Sequence, residues 1–472
     1  MLVDTADGEG DGPAGEYVAV VDLQQGVDGV DKPHRPRRPP LRHSSSKAGR
    51  MGQELDLTVH TRTAYHIAFV GVVCYFVNLI LEDIKRDGSA TLLRWELLGP
   101  SFSPSVLLQL TALWLLVNAF LLANNLGVRC WRAGRELYVK RAVWDTLWLL
   151  AALVLHAAMV VVPAAGMHLL DLPTWARCAL CCEQLRLIMK SYSYLREHAR
   201  TVLSVPARPA ARARHSARAD GADLSVGHLV YFMFAPTLLY RDSYERCPRV
   251  RPLAVLVHAG VFFASVFTMV VVCARSSLRP LCGGEDAPLL ALWTALGAPR
   301  FPLVVIRSYP VAAVMLAGIT TAMHHWHRLF AELLRFRQRG FTKEWLNKYV
   351  YKEMRAHGYN IFLAKIFTIV VSAVWHEYIL ANCFGFLVPF FFFLYTLSTA
   401  FVLTEPFGLQ KGNYGNLFFL ATIPLGLALA QSFYFMEVYA RLQCPVVDER
   451  PWDIFVPRQW LCDDPFRNCT FI

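Results

Sequence analysis

An acid–base pair of side chains lies inside an apolar run of the sequence. The stretch VVSAVWHEYILANCF, residues 370–384, places His376 next to Glu377. Ionisable side chains are costly in such a segment, so a functional role is the default hypothesis. A neutral imidazole that is shielded from water but open to substrate takes the proton from an alcohol attacking an activated acyl group. A histidine that only hydrogen-bonds a neighbouring helix is the alternative.

The neighbouring carboxyl group has a different expected role. Glu377 is turned by about 100° from His376 around a helix, so we expect it to orient a neighbouring helix rather than to bond the imidazole. A second polar cluster, AMHHWHRLFAELLRF, ends another apolar run, and its polar members are His324, His325, His327, Arg328 and Glu332. We interpret this cluster as an interfacial belt at the end of a membrane span.

The composition indicates a membrane protein. Of the 472 residues, 55% are hydrophobic and 18% are charged, which is too apolar for one water-soluble domain. A span needs about 20 mostly apolar residues. We find eight such runs, at residues 66–81, 106–123, 142–170, 253–274, 303–323, 361–381, 384–403 and 417–435. They lack the alternation of a barrel, so the sequence predicts an all-α, polytopic transmembrane helical bundle.

Two polar regions flank the apolar runs. Residues 1–64 form a charge-segregated leader, whose first 31 residues hold eight acidic and no basic side chains. We predict that this leader is disordered and cytoplasmic, because a basic block precedes the first span. The Arg/Pro/Ala-rich composition near residues 195–225 predicts a cytoplasmic loop. The net charge of +11 would be compatible with nucleic-acid binding. However, the basic residues flank the membrane spans and no aromatic stacking platform accompanies them, so we expect no nucleic-acid partner.

The cysteines form two groups. Cys178, Cys181 and Cys182 resemble a metal site only superficially, since no Cys/His pair follows at a suitable spacing, and we predict no bound metal. Cys444 and Cys462 flank a polar segment after the last apolar run. With a cytoplasmic N-terminus and an odd number of spans, that tail is lumenal and the pair can form a disulfide. This topology requires a ninth span.

Several motifs carry a resemblance to a known family. HLVYFMFAPTLLYRDSY, residues 228–244, resembles the signature of the acyl-CoA:cholesterol acyltransferases, or sterol O-acyltransferases, of the membrane-bound O-acyltransferase superfamily. FAELLRF, YVYKE, SAVWHEY and FYFMEVYARLQCP follow in the family's order. The resemblance covers residues 66–462. LYRDSY and YARLQCP are more similar to the sterol branch than to the diacylglycerol acyltransferases.

The resemblance implies a fold, an activity and roles for individual residues. It implies a nine-span enzyme of the endoplasmic-reticulum membrane, a dimer or dimer of dimers, that esterifies cholesterol with a long-chain acyl group from acyl-CoA. His376 matches the catalytic base, and Cys444 and Cys462 match a lumenal disulfide. Tyr351 and Ser372 match positions that line the acyl-CoA path. Nothing in the sequence suggests a bound metal or organic cofactor, and the partners that we expect are acyl-CoA and a sterol as substrates and the lipid bilayer.

The chain departs from the family pattern between residues 335 and 353. There the family has FYxDWWN, then RTWN, whose Asn is the second catalytic residue, then HDWL. Here FTKEWLN is either a degraded FYxDWWN, or EWLNKYVYKE matches DWL and the following YKD-like element. We prefer the second alignment, which keeps Trp345, Tyr351 and Lys352 in one register. Both leave out the catalytic Asn, and the gap of roughly twenty residues equals about 30 Å of helix.

Three competing hypotheses remain open at this level. One is an acyltransferase for another lipid alcohol, such as diacylglycerol or a fatty alcohol. Another is a catalytically impaired isoform, or an incomplete sequence, of a sterol acyltransferase, motivated by the gap near residues 341–349. A transporter is the third, and the sequence offers no internal repeat or broken, glycine-rich span pair in its favour.

Overall fold

A computed structural model describes most of the apolar part of the chain. The described residues are 59–89, 102–137, 140–204, 224–273, 275, 300–337, 342–402, 413–444 and 451–460. Within these ranges the regular structure is helical, and an isolated bridge between Arg246 and Phe336 is the extent of β-pairing. The chain divides into two units, residues 1–94 and 95–472.

The helices are numbered in chain order. The first unit contains α1, Val59–Asp87. The second unit contains α2 Pro104–Leu137, α3 Arg141–Leu169, α4 Thr174–Ser204, α5 Val226–Phe234, α6 Pro252–Val272, α7 Arg300–Leu333, α8 Thr342–Leu346, a π-helix Asn347–Tyr351, α9 Lys352–Ala356, α10 Ile361–Phe384, α11 Phe390–Val402 and α12 Asn413–Gln443. Two 3₁₀ turns, Pro451–Phe455 and Arg458–Trp460, follow α12.

The helical bundle predicted from the apolar runs is confirmed. Each of the eight runs lies mostly or wholly on a helix where it is described. Four described helices are long and apolar enough to cross a membrane, at residues 104–135, 141–169, 252–272 and 361–384. In hydrocarbon each helix satisfies its own backbone, so apolar runs and helices coincide. The protein is a multi-pass membrane protein.

The predicted leader and loops coincide only partly with described residues. Helix α1 begins at Val59, so the last residues of the 1–64 leader are helical, and residues 1–58 lie outside the described part. Helix α4 continues to Ser204, which makes the start of the predicted 195–225 loop helical. Residues 205–223 are outside the described part.

One long helix was missed by the search for apolar runs. Helix α4 packs against α2, α3 and α10. Its side chains Gln184, Lys190, Ser191 and Ser193 have no exposed surface. These polar residues lower the hydropathy of α4, but hydrogen bonds with neighbouring elements satisfy them inside the bundle. Helix α4 is therefore an interior helix that supports α10.

The end of α12 is joined to the chain that follows it. The carboxylate of Glu437, which is fully buried, accepts hydrogen bonds from the backbone N–H groups of Arg458 (2.9 Å) and Gln459 (3.2 Å). The Leu387 N–H donates to the Ile454 carbonyl at 2.9 Å. The segment after α12 thus folds back onto the loop between α10 and α11.

Candidate active site

Helix α10 carries the predicted base, and both of its ends are defined by capping residues. At the start, the Asn360 side chain accepts a hydrogen bond from the Leu363 N–H at 2.7 Å. At the end, Gly385 adopts a left-handed conformation with φ 79°, which glycine reaches without steric cost. The helix ends there and the chain turns into α11. His376 is held in the second half of a rigid helix.

The imidazole of His376 has a defined tautomer. Its Nδ1 lies 2.7 Å from the Ser372 carbonyl oxygen, one turn earlier in α10. A carbonyl only accepts, so Nδ1 carries the proton of the neutral ring. The lone pair on Nε2 then serves as the proton acceptor. This is the arrangement that a general base requires.

Three other described histidines, His156, His198 and His357, make this backbone contact, and the first two are less exposed than His376. Nδ1 of His156 bonds the Ala152 carbonyl (2.8 Å), but its Nε2 is engaged by the Ser191 hydroxyl (3.0 Å). Nδ1 of His198 bonds the Tyr194 carbonyl, and this ring is 2% exposed. In the described part of the chain, no group is recorded on His376 Nε2, and this side chain is exposed. Nδ1 of His357 bonds the Glu353 carbonyl (2.7 Å) and this side chain is exposed too, but it follows the short helix α9, whereas His376 lies on the apolar helix α10.

His376 is more exposed than two of its neighbours on the same face of α10. Ser372 and Cys383, four positions before and seven after it, share its face of the helix. They are 8% and 4% exposed. Ile379 and Leu380, on the next turn, are half-buried. The base is therefore both held and exposed.

Two aromatic rings of α11 pack against the imidazole. The ring centroids of Phe391 and Tyr395 lie 5.5 and 5.2 Å from that of His376. The Tyr395 hydroxyl lies 3.2 Å from the Ser372 hydroxyl. The predicted base, the predicted substrate-lining residue Ser372 and a tyrosine thus form one cluster, and Tyr395 was not anticipated from the sequence. Tyr395 carries a hydroxyl one helical turn after Phe391, within the aromatic run of residues 390–395. This is the sequence signal that could have identified Tyr395.

Glu377 has the role expected for it. Its carboxylate is 5% exposed and accepts hydrogen bonds from the Phe392 N–H (2.9 Å) and the Tyr434 hydroxyl (2.6 Å). Phe392 lies in the first turn of α11, where N–H groups lack intrahelical partners. Glu377 therefore caps α11 from a neighbouring helix, and this cap holds Phe391 and Tyr395 beside the imidazole.

We expect Glu377→Ala to destabilise the protein by on the order of 1–3 kcal/mol, because the part-buried Phe392 N–H loses its acceptor and the buried Tyr434 hydroxyl keeps only the Val388 carbonyl. In purified, detergent-solubilised protein, the apparent melting temperature should fall by several degrees. Glu377→Gln should lie between this variant and the parent, since an amide oxygen still accepts one bond. Replacement of the exposed Glu82 by Ala is the control. Equal melting temperatures for the Glu377 and Glu82 variants would contradict the capping role.

Tyr351 does not belong to the cluster around His376. It ends the π-helix and is half-buried, and no hydrogen bond or ring contact joins it to His376 among the residues with described side chains. The π-helix packs against α10, and Val371 contacts the buried cluster that includes Trp345 and Tyr349. Tyr351 is therefore connected to the site only because the π-helix that it ends packs against α10. Its assignment to the acyl-CoA path stays a prediction.

The signature segment is anchored by a buried cation. Lys190 on α4 has no exposed surface, and its ammonium group donates to the carbonyls of Phe232 (2.5 Å), Met233 (2.9 Å) and Ala235 (2.8 Å). These carbonyls lie at the C-terminal end of α5, where helix carbonyls are unpaired and the helix dipole favours a positive charge. Lys190 therefore fixes the end of α5 and the turn after it.

A hydrogen-bond chain connects the signature segment to the π-helix. The Ser193 hydroxyl accepts from the Tyr240 N–H (2.7 Å) and lies 3.0 Å from the Tyr349 hydroxyl, which donates to Glu197 (2.7 Å). Partial burial raises the pKa of Glu197, but hydrogen bonds from Lys348 and Tyr349 outweigh it, so this pKa lies below its ordinary value. The carboxylate stays ionised at neutral pH.

The remaining predicted clusters fall into separate places. His325 bonds His258 of α6 through their Nδ1 atoms at 2.9 Å, so the polar cluster of α7 joins two helices. Cys178, Cys181 and Cys182 are free thiols on α4. Cys444 is disulfide-bonded, and every other described cysteine is free. Cys462 lies outside the described residues, so its pairing with Cys444 stays a prediction.

The predicted gap falls at a junction that is only partly described. Residues 338–341 lie outside the described part, and the segment from Thr342 to Ala356 forms continuous helical turns. Within it, the Trp345 indole donates to the Met189 carbonyl at 2.9 Å. The residues that follow the gap are therefore anchored against α4.

Comparison with known proteins identifies relatives along most of the chain. Residues 339–438, which include Tyr351, Ser372 and His376, match the model of the MBOAT, membrane-bound O-acyltransferase family. Sterol O-acyltransferase 2 of Homo sapiens is 28% identical over 438 residues, covering 87% of this chain and 78% of that protein. Sterol O-acyltransferase 1 of Mus musculus is 28% identical over 440 residues, covering 87% and 77%. Residues 339–438 thus form a segment that is similar to the membrane-bound O-acyltransferase family, and most of the chain is similar to sterol O-acyltransferases.

Proposed function

We propose that this protein transfers a long-chain acyl group from acyl-CoA to the hydroxyl of a sterol, forming a steryl ester. The observation that carries the proposal is the His376 imidazole, with Nδ1 bonded to a backbone carbonyl and an exposed ring on the apolar helix α10. The relatives named as sterol O-acyltransferases support the choice of acceptor.

The site supplies the base that the reaction needs from a protein. A thioester is already activated, so catalysis requires a positioned base, a hydrogen-bond donor for the developing oxyanion and exclusion of water. His376 Nε2 takes the hydroxyl proton as the acceptor oxygen attacks the thioester carbonyl carbon. The imidazolium formed is stabilised by its bond to the Ser372 carbonyl. It then returns the proton to the departing CoA sulfur, so the base is regenerated.

The test is transfer of labelled oleate from oleoyl-CoA in membranes of cells that lack endogenous activity. Cholesterol and diacylglycerol are offered together, and the two products are separated. We expect labelled cholesteryl ester whose amount rises with added cholesterol. Labelled triacylglycerol as the main product would reassign the acceptor to another lipid alcohol and overturn the sterol proposal.

The sequence gap between Phe341 and Tyr349 supports one further candidate, a catalytically impaired isoform. It predicts no ester from a folded chain, but co-purification with a full-length relative and reduced activity of that relative. We place both candidates in the endoplasmic-reticulum membrane, as a dimer or dimer of dimers. Fluorescence microscopy and cross-linking in intact membranes test these two assignments.

The proposed topology places the segment after α12 in the lumen. Lumenal thiols meet an oxidising environment, which agrees with the disulfide bond of Cys444. We propose Cys462 as its partner. Peptide mapping without reduction should yield a linked pair of peptides containing these two cysteines. A link from Cys444 to any other cysteine would contradict the pairing.

A further inference from the structure

We propose that the Tyr395 hydroxyl donates the hydrogen bond that stabilises the oxyanion of the acyl-transfer step. This assignment rests on the proposed function and adds a residue to it. Tyr395 lies on α11, the helix that the Glu377 carboxylate caps, and its ring centroid is 5.2 Å from that of His376. A tyrosine hydroxyl at a candidate base is a ready hydrogen-bond donor.

The Tyr395 ring is fixed from several sides. It packs against the imidazole with an angle of 26° between the two planes, and its centroid lies 5.8 Å from that of Phe391. Its hydroxyl lies 3.2 Å from the Ser372 hydroxyl. A donor already held in position costs no reorganisation when charge develops, and this is the condition for effective oxyanion stabilisation.

The Ser372 hydroxyl extends this arrangement into a chain. Either hydroxyl can donate in this contact; in the proposed reaction the Ser372 hydroxyl donates to the Tyr395 oxygen, and the Tyr395 O–H donates to the oxyanion. Successive hydrogen bonds of this kind polarise one another and strengthen the last one. The carbonyl of Ser372 bonds Nδ1 of His376 as well. One residue of α10 thus orients both the base and the proposed donor.

The reaction requires such a donor, and the chain lacks the one that its family resemblance implies. Neither alignment of residues 335–353 supplies the second catalytic residue, an Asn. A side-chain hydroxyl on α11 can do the same electrostatic work from another position, since an oxyanion is stabilised by any well-aimed donor.

The step balances with these groups alone. The acceptor oxygen forms a bond to the thioester carbon as its proton passes to His376 Nε2, and the carbonyl π electrons move to oxygen. That oxygen accepts the Tyr395 hydrogen bond without taking the proton. When the carbonyl re-forms, the carbon–sulfur bond breaks, and the thiolate takes the proton from the imidazolium. Tyr395 ends the cycle unchanged.

Tyr395→Phe tests the proposal because it keeps the ring and removes only the hydroxyl. In the oleate-transfer assay on purified protein, kcat should fall by about 10²- to 10³-fold, with KM for oleoyl-CoA changed by less than about twofold. Tyr378→Phe is the matched control, since the Tyr378 hydroxyl bonds Gln184 (3.0 Å) instead. It should retain the parental kcat per folded protein. A kcat for Tyr395→Phe within about threefold of the parent would overturn the assignment while leaving the acyltransferase proposal intact.

A double variant distinguishes two roles of the Tyr395 hydroxyl, donation to the oxyanion and positioning of Ser372. If Tyr395 acts only by holding Ser372, then adding Tyr395→Phe to Ser372→Ala should have no further effect. The proposal expects the hydroxyl loss to lower kcat in the Ser372→Ala background as well, by a smaller factor than in the parent, because Ser372 strengthens the donor. Elution volume and melting temperature report whether each variant is folded. A parent chain that makes no ester would overturn the proposed function, and the oxyanion role with it.

Discussion

His376→Ala should lower the rate of steryl-ester formation by about 10²- to 10⁴-fold, the usual contribution of a positioned general base. The alanine variant loses the proton acceptor and keeps the helix, because the lost Nδ1 bond is made to a Ser372 carbonyl that is already part of α10. The measurement is labelled oleate transfer to cholesterol, normalised to folded protein. Unchanged elution volume and melting temperature would show that the lost activity reflects the chemical step and not misfolding.

A second histidine provides the control for this experiment. His156 makes the same kind of Nδ1 contact inside the bundle, and its Nε2 is bonded to Ser191. His156→Gln should lower the melting temperature, while kcat per folded protein should stay close to the parental value. If His376→Ala retained parental activity, or if the two variants lost activity equally, His376 would not be the base.

Replacing Lys190 with methionine should have the largest effect on stability. Three carbonyls at the end of α5 would lose one shared cationic donor, and hydrogen bonds to charged groups contribute about 1.5–3 kcal/mol each. We expect destabilisation of on the order of 3 kcal/mol or more. Heating followed by size-exclusion chromatography in detergent measures it as a fall in the temperature of aggregation. Activity should fall as well, because the signature segment loses its anchor.

Lys348→Met is the matched control for the Lys190 variant. Lys348 pairs with Glu197 at 2.8 Å, but its side chain is 34% exposed. Ion pairs that solvent reaches contribute about 0–1 kcal/mol, so this variant should remain close to the parent. Equal aggregation temperatures for the two lysine variants would show that the end of α5 does not depend on Lys190.

The motifs were specific enough to predict a resemblance, and the comparisons find similarity to the same family and to sterol O-acyltransferases. The role of Glu377 could be predicted in kind, since a side chain turned away from His376 must serve another element. Its partners could not, because Phe392 and Tyr434 lie on α11 and α12 and meet it only through packing. The same limit applies to Tyr395, whose neighbour His376 is on a different helix.

The sequence by itself determined the all-α membrane bundle, the segments that form most of its apolar helices, and His376 as the candidate base. These follow from local properties, since an apolar segment in lipid must close its own backbone hydrogen bonds and an ionisable residue within it is costly. The tertiary structure alone decided that the polar helix α4 lies inside the bundle, with Lys190 anchoring α5. It also decided that α11 brings Tyr395 to the imidazole. Those contacts join residues far apart in the chain, and they depend on which helix faces pack together, which local hydropathy does not encode.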